Sequence, residues 1–159
     1  HVVLDEDTAH PQLILSGEGR RVRRGDAHRA VPAKAGRFDT YHCVLGREGF
    51  AAGRHFWEVD VGTEEGGVWA MGVAKESVKR KGWINPAPQE GILALFQCGG
   101  KFWALTSPEH TALDLPRRPR VVRVYLDLEE QKVGFFDGDT RDLLFAFPLA
   151  PLGGGRLRP

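Results

Sequence analysis

Residues 54–61 read Arg-His-Phe-Trp-Glu-Val-Asp-Val, and their polar and apolar side chains alternate. In an extended chain, Trp57 and Val59 fall on one side, while Glu58 and Asp60 fall on the other. A period of two over this length predicts a β-strand with one buried face and one hydrated face.

The same alternation recurs along the chain. In residues 121–128 it would turn Val122, Val124 and Leu126 inward. Residues 132–136, which follow after a turn, show a similar alternation. Strands are predicted near 2–4, 12–15, 20–23, 41–45, 54–61, 67–74, 91–97, 101–105, 111–115, 121–128, 132–136 and 143–147. Many short strands with little helical pattern between them predict an all-β fold, an antiparallel β-sandwich with less than about 15% helix.

A few segments depart from this pattern. The one candidate helix is residues 75–81, and it is short. Gly99-Gly100 between two apolar runs predicts a tight hairpin, because both positions tolerate a positive φ. The tail, residues 153–159, has no strong strand pattern.

Length and composition set limits on the function. The chain has 159 residues, 42% hydrophobic and 27% charged, which predicts one globular domain. A net charge of +1 argues against a bulk nucleic-acid or membrane-surface binder. No apolar run reaches the roughly 20 residues that span a bilayer. The first residue is a histidine, so we expect further sequence upstream.

The chain contains two cysteines, Cys43 and Cys98. Two are too few for a disulfide framework or for a four-cysteine zinc site. We expect two reduced, buried thiols, with a single disulfide and a reactive thiol as the alternatives.

Sequence signatures of catalysis are absent. None of the three serines lies in a Gly-x-Ser-x-Gly elbow, and the six histidines lack metal-ligand spacing. Asp137-Gly138-Asp139 lacks the further acidic ligands of a calcium loop. We therefore predict a domain that is not an enzyme and that uses no cofactor and no metal.

Several blocks carry a resemblance to a known family. The segments LDEDTAHPQLILS (4–16), GRHFWEVDVG (53–62) and VRVYLDLEEQKVGFFD (122–137) resemble the signature blocks of the PRY-SPRY domain, in its order and spacing. The segments RFDTYHCVLG (37–46) and WAMGVAKESVKRKGW (69–83) resemble its tripartite-motif (TRIM) and butyrophilin branch. The resemblance covers roughly residues 2–147. The family's last strand is expected after Phe147, and in this sequence we expect it to be short or divergent.

This resemblance implies the fold and the class of function. The fold implied is a bent two-layer β-sandwich, with a PRY part near 1–48 and a SPRY part near 49–159. The function implied is recognition by a cytoplasmic, monomeric domain of innate immunity. The main interpretation is the target-selecting module of a TRIM-type ubiquitin ligase, and the alternative is a butyrophilin-type sensor of a small phosphorylated ligand. A secreted sugar binder is a third class, but the expected ligand pattern is missing.

The resemblance also suggests where a protein or peptide would bind. Relatives use loops and strands around a concave sheet, and some hold a histidine or basic residues near 40–42. We expect partner contacts at three segments: Thr40, Tyr41 and His42; Lys81, Trp83, Ile84, Asn85 and Pro86; Phe96 and Cys98. Tyr41, His42, Trp83, Asn85 and Phe96 should converge, with Lys81 at the rim.

For Trp83 and Phe96 the alternative is a place in the core. Two basic clusters, at 20–24 and 79–81, are typical of a solvated face, with recognition of phosphate or an acidic peptide as the alternative.

Overall fold

The computed structural model describes residues 1–62 and 67–159, and strands dominate it. Within these ranges the strands are β1 (Leu13–Ser16), β2 (Arg21–Arg24), β3 (Arg54–Asp60), β4 (Trp69–Lys75), β5 (Ile92–Cys98), β6 (Lys101–Ala104), β7 (Thr111–Leu113), β8 (Val121–Asp127), β9 (Lys132–Asp137), β10 (Leu143–Pro148) and β11 (Leu157–Arg158). The helical segments described are three 3-10 turns, Glu6–Thr8, Pro88–Glu90 and Ala150–Leu152.

All strand pairs in the described ranges are antiparallel. One sheet has the order β10-β9-β8-β3, a second has the order β11-β4-β5-β6-β7, and β1 and β2 form a separate hairpin. The two larger sheets bury their facing side chains in one shared core. The predicted all-β sandwich with little helix is therefore confirmed.

The alternation of residues 54–61 determines which face of β3 is buried. Trp57 is 9% exposed and lies opposite Val124 of β8, while Leu93 of the second sheet joins the same core. Phe56, one residue before Trp57, faces outward and is 61% exposed, with the Arg123 guanidinium 4.7 Å from its ring centroid. The strand thus follows the period of two that the sequence shows.

Three sequence predictions of local structure are wrong. The segment 75–81 is not a helix, since Lys75 ends β4 and a turn and irregular backbone follow it. The segments 2–4 and 41–45 are not strands, since only a single bridge joins Leu4 to Gly46. These segments have irregular backbone, and their apolar residues pack against other parts of the chain. Their hydrophobicity therefore reflects burial and not strand pairing.

The tail contains a very short C-terminal strand. Leu157 and Arg158 form β11, which pairs with β4 at the edge of the five-stranded sheet. Leu157 is 3% exposed and lies in the core. Leu157 alone is enough to anchor β11, because β4 already provides the edge on which it pairs. A strand of two residues is too short to show a periodic pattern in the sequence.

The hairpin between β5 and β6 has the predicted geometry. Gly99 and Gly100 have φ of 60° and 76°, values that glycine adopts without steric cost. Among the described residues, no helix is both long enough and apolar enough to cross a bilayer.

We predict that Trp57→Ala lowers the free energy of unfolding by about 3–5 kcal/mol, because it empties a large aromatic site in the core. Phe56→Ala is the matched control, and we expect it to cost about 1 kcal/mol or less, since its ring is largely in water. Urea unfolding of the two variants measures both values. Equal losses would show that the assignment of faces on β3 is wrong.

Candidate functional site

The outer face of the five-stranded sheet carries a row of side chains that crosses four strands. Phe96 lies opposite both Ala70 and Trp103, and Trp103 lies opposite Ala112. The centroids of the Phe96 and Trp103 rings are 5.7 Å apart. Because only methyl groups flank this aromatic pair, its rings project above their neighbours in the row.

A second aromatic pair lies toward the other end of this face. The rings of Tyr41 and Trp83 are 4.8 Å apart between centroids. Tyr41 packs against a buried cluster that includes Ala74 and adjoins Ile92. Ile92 and Phe96 share a face of β5 and are separated by about 13 Å of strand. We call these two pairs, Tyr41 with Trp83 and Phe96 with Trp103, the aromatic face.

Hydrogen bonds fix the backbone that carries the exposed indole of Trp83. Trp83 is 71% exposed. The Lys79 ammonium donates to its carbonyl oxygen at 2.9 Å, and Asp39 Oδ1 accepts the N–H of Gly82 at 2.7 Å. The hydrogen bond from the Gly82 N–H lowers the pKa of the Asp39 carboxyl below its ordinary value, and the hydrogen bond from the Thr40 hydroxyl lowers it further. The segment that carries Tyr41 is therefore tied to the turn that carries Trp83.

The basic turn after β4 serves the same purpose. Arg80 Nη1 donates to the carbonyl of Gly36 at 2.8 Å, and its guanidinium lies 5.6 Å from the ring centroid of Phe38. Lys81 Nζ donates to the carbonyl oxygens of Lys34 and Arg37, at 2.6 Å each. These cations fasten the loop to the turn, so they are already engaged within the molecule.

A depression of about 430 Å³ adjoins the aromatic face at its β6–β7 edge. Trp103 and Ala112 line it together with Lys101, Arg117 and Arg118. The face is thus shallow and apolar at its centre, with a basic hollow at one side.

Comparisons with known proteins identify the family. A model of PRY, the SPRY-associated domain, matches residues 2–50, and a model of the SPRY domain matches residues 54–159. The chain belongs to the SPRY domain family. Domains of this family are non-catalytic protein-interaction modules.

The similar curated proteins are butyrophilins and TRIM proteins. The PRY-SPRY domain is 42% identical over 158 residues to butyrophilin subfamily 1 member A1 of Mus musculus and 43% identical over 159 residues to the E3 ubiquitin-protein ligase TRIM38 of Homo sapiens. Both alignments cover 99% of this chain, but only 29% and 33% of the two relatives. The chain thus spans about a third of their length.

Solved structures show the same fold at lower identity. The TRIM65 PSpry domain superimposes with a TM-score of 0.78 at 20% identity, over 99% of this chain and 81% of that one. The stonustoxin structure gives 0.82 at 18% identity, over 99% of this chain and 26% of that one.

The structure places most of the predicted contact residues of the PRY-SPRY domain at the surface. Thr40 and Asn85 are exposed, as Trp83 is, and Pro86 is half-buried. On β5, Phe96 and Cys98 share the outer face, while Leu93 and Leu95 point into the core as predicted. As binding residues they remain predictions.

Two placements correct the sequence-based expectation. Ile84 is 3% exposed and belongs to the buried cluster beneath Tyr41, so it supports the surface without being available for contact. The ring of His42 lies 4.4 Å from that of His10 and not with Tyr41. The N–H of Cys43 donates to the carbonyl oxygen of Tyr41 at 2.9 Å, so the backbone turns at His42 and directs its ring away from the aromatic face.

Sequence reasoning missed Trp103. It alternates with Phe102 and Ala104, which are 9% and 0% exposed, so the period of two on β6 could have placed it outward. Its cross-strand pairing with Phe96 could not be read from the sequence without the register of β5 and β6.

Three histidines of the PRY part form a cluster away from the aromatic face. The His10 ring lies 4.4 Å from His42 and 5.1 Å from His28, and His10 is 2% exposed. Its Nδ1 accepts the N–H of Gln12 at 3.0 Å, which fixes a neutral ring with the proton on Nε2. Burial lowers the pKa of His10, and the charges of His42 and His28 lower it further. Burial also lowers the pKa of His42, and the nearby Arg24 adds to that effect.

Both cysteines are free thiols. Cys43 packs against the buried cluster near Tyr41, and burial raises its pKa to about 11. At neutral pH this thiol is almost wholly protonated and is a poor nucleophile.

We predict that stability falls as the pH falls from about 7 to 5. The unfolded histidines take up protons near pH 6.5, whereas folded His10 and His42 resist protonation, so the unfolded state binds more protons in this window. Asp39 faces His10 and opposes the effect, whereas His28 and Arg24 reinforce the low pKa values of the cluster.

Urea midpoints at pH 8, 7, 6 and 5 measure this decline. His10→Gln should flatten it, whatever the variant costs in absolute stability. His110→Gln, at an exposed position, is the control that should keep the wild-type slope. A slope unchanged by His10→Gln would contradict the assignment.

We predict two free thiols by mass spectrometry of the native protein, with Cys43 labelled by maleimide far more slowly when folded than when unfolded. At pH 8 a pKa of about 11 leaves on the order of one thiolate in a thousand. A native mass lower by two hydrogens would reveal a disulfide instead.

Proposed function

We propose that this domain selects a protein target through its aromatic face, as the recognition module of a TRIM-type ubiquitin ligase that works inside the cell. The observation that carries the proposal is the arrangement of the two aromatic pairs, with Trp83 71% exposed yet fixed by hydrogen bonds to its loop. The similarity to TRIM38 and TRIM58 supports the ligase context.

The energetics favour a peptide or protein surface as the partner. A rigid tryptophan offers a large contact area at little entropic cost, and such residues dominate binding hot spots. The alanines on either side of the Phe96–Trp103 pair leave room for side chains of the partner. A sandwich that holds its loops from below also avoids the ordering cost that a mobile loop would add.

The alternative is a small phosphorylated ligand bound as in a butyrophilin-type sensor, and the butyrophilin relatives keep it open. The chemistry of the aromatic face argues against it. Lys79, Arg80 and Lys81 are each bonded to backbone carbonyls, and Cys43, which packs on the same buried cluster as Tyr41, is a neutral thiol. A phosphate at the Tyr41–Trp83 end of the face would have to break these bonds to gain a charged partner.

We predict that Trp83→Ala and Phe96→Ala each weaken target binding by about 1–3 kcal/mol, because each removes a central aromatic contact. Both rings are at least partly exposed, so melting temperatures should change little. Phe56→Ala is the matched control, an exposed aromatic on the opposite sheet, and should bind like the wild type.

The measurement begins with affinity capture from cell lysate, using the wild-type domain beside the three variants. Partners retained by the wild type and Phe56→Ala, but lost from the other two, define the target. Titration calorimetry with the purified target then gives the free energies.

The ligase role is tested separately in cells. Ubiquitination of the target should require the full-length protein and should fall with Trp83→Ala. Loss of binding without any change in ubiquitination would refute target selection. Unfolding of both aromatic variants would place their rings in the core, and unchanged capture would place the site elsewhere.

A further inference from the structure

The strand β2 carries positive charge that no carboxylate neutralises. Arg20 and the β2 residues Arg21, Arg23 and Arg24 are all exposed. In the part of the chain that the structure describes, none of these four forms a salt bridge or a side-chain hydrogen bond, although the whole molecule has a net charge of only +1. In contrast, Arg158 is bonded to two carboxylates.

The outer edge of β2 also lacks a backbone partner. β2 pairs with β1 alone, and within residues 1–62 and 67–159 no strand lies on its other side. In an antiparallel pair, alternate residues turn their N–H and C=O groups away from the neighbour, so β2 presents a free ladder of donors and acceptors.

This edge is held in strand form before anything binds. Backbone bonds of 2.7 Å, from Gly25 N to Gln12 O and from Leu4 N to Gly19 O, fasten the hairpin at both ends. Leu13 of β1 is 7% exposed and anchors the hairpin to the domain. A partner strand would therefore not have to order this edge, which lowers the cost of association.

We propose that β2 receives an acidic segment of a protein partner, which adds in extended form as a third strand. Arg21 and Arg23 point to one face, and Val22, 43% exposed, shares the other face with Arg24. Cross-strand neighbours share a face, so the matching sequence alternates carboxylates with apolar residues. This site lies outside the aromatic face and does not depend on the function proposed for it.

The same charges decide against other occupants. A second copy pairing through β2 would bring arginines against arginines, which disfavours self-association at this edge. An anionic membrane would satisfy the guanidinium groups but would leave the backbone ladder unpaired, so the free edge favours a peptide.

The test uses a fluorescein-labelled peptide of eight residues that alternates glutamate and valine, titrated with the protein and followed by anisotropy. Arg21→Glu with Arg23→Glu should weaken binding at least tenfold. The control is Arg47→Glu with Lys132→Glu, which changes the net charge equally at exposed positions elsewhere and should weaken binding less than about threefold. Circular dichroism checks that each variant is folded, and Arg21→Gln with Arg23→Gln replaces the first pair if it is not.

A second peptide isolates the backbone contribution. N-methylation of its valines keeps every charge but removes alternate N–H donors, and it should weaken binding at least tenfold. Equal binding of the two peptides would overturn strand addition. Equal losses from both pairs of variants, or no binding by millimolar peptide, would overturn the site. Tighter, arginine-dependent binding to phosphatidylserine vesicles than to the peptide would overturn the choice of partner.

Discussion

The guanidinium group of Arg158 connects parts of the molecule that are far apart in sequence. It donates to the carbonyl of Gly46 at 2.8 Å, to Glu76 at 2.9 Å and to Asp5 at 3.0 Å, although the residue is only 7% exposed. A cation removed from water is costly unless its donors are satisfied, and here all three nitrogens have partners. The carboxylate of Glu76 also forms a salt bridge with Arg80. It therefore links β11 to the turn that carries Trp83.

The aromatic face follows from this arrangement of charges. The basic residues at its Tyr41–Trp83 end are used to fasten loops, which leaves the contact area there to aromatic rings and small side chains. Such a surface recognises shape and apolar area more than charge, whereas the hairpin of β1 and β2 has the opposite character. One small domain thus presents two chemically different surfaces, and each can be altered without changing the core between them.

The sequence predicts the sheets well and the connections poorly, for a physical reason. Trp57, Val122 and Leu126 repeat every second residue because an extended chain alternates its faces, and this signal is local. Ile84 gives no such signal, since its burial depends on Phe38 and Val78, which reach it from other segments. Tyr41 and Trp83 could be named as surface candidates, but their contact depends on Asp39 joining two turns, a long-range bond that no local pattern encodes.

The position of β11 has a consequence for biosynthesis. Leu157 completes the core and exchanges backbone hydrogen bonds with Phe50. Arg158 donates a hydrogen bond to the carboxylate of Asp5, 153 residues earlier. These contacts cannot form until residues 157 and 158 have emerged from the ribosome. Until then β4 has an unpaired edge and the core lacks Leu157, so the nascent domain exposes apolar surface to water. Chaperones therefore have an opportunity to bind this domain before β11 docks.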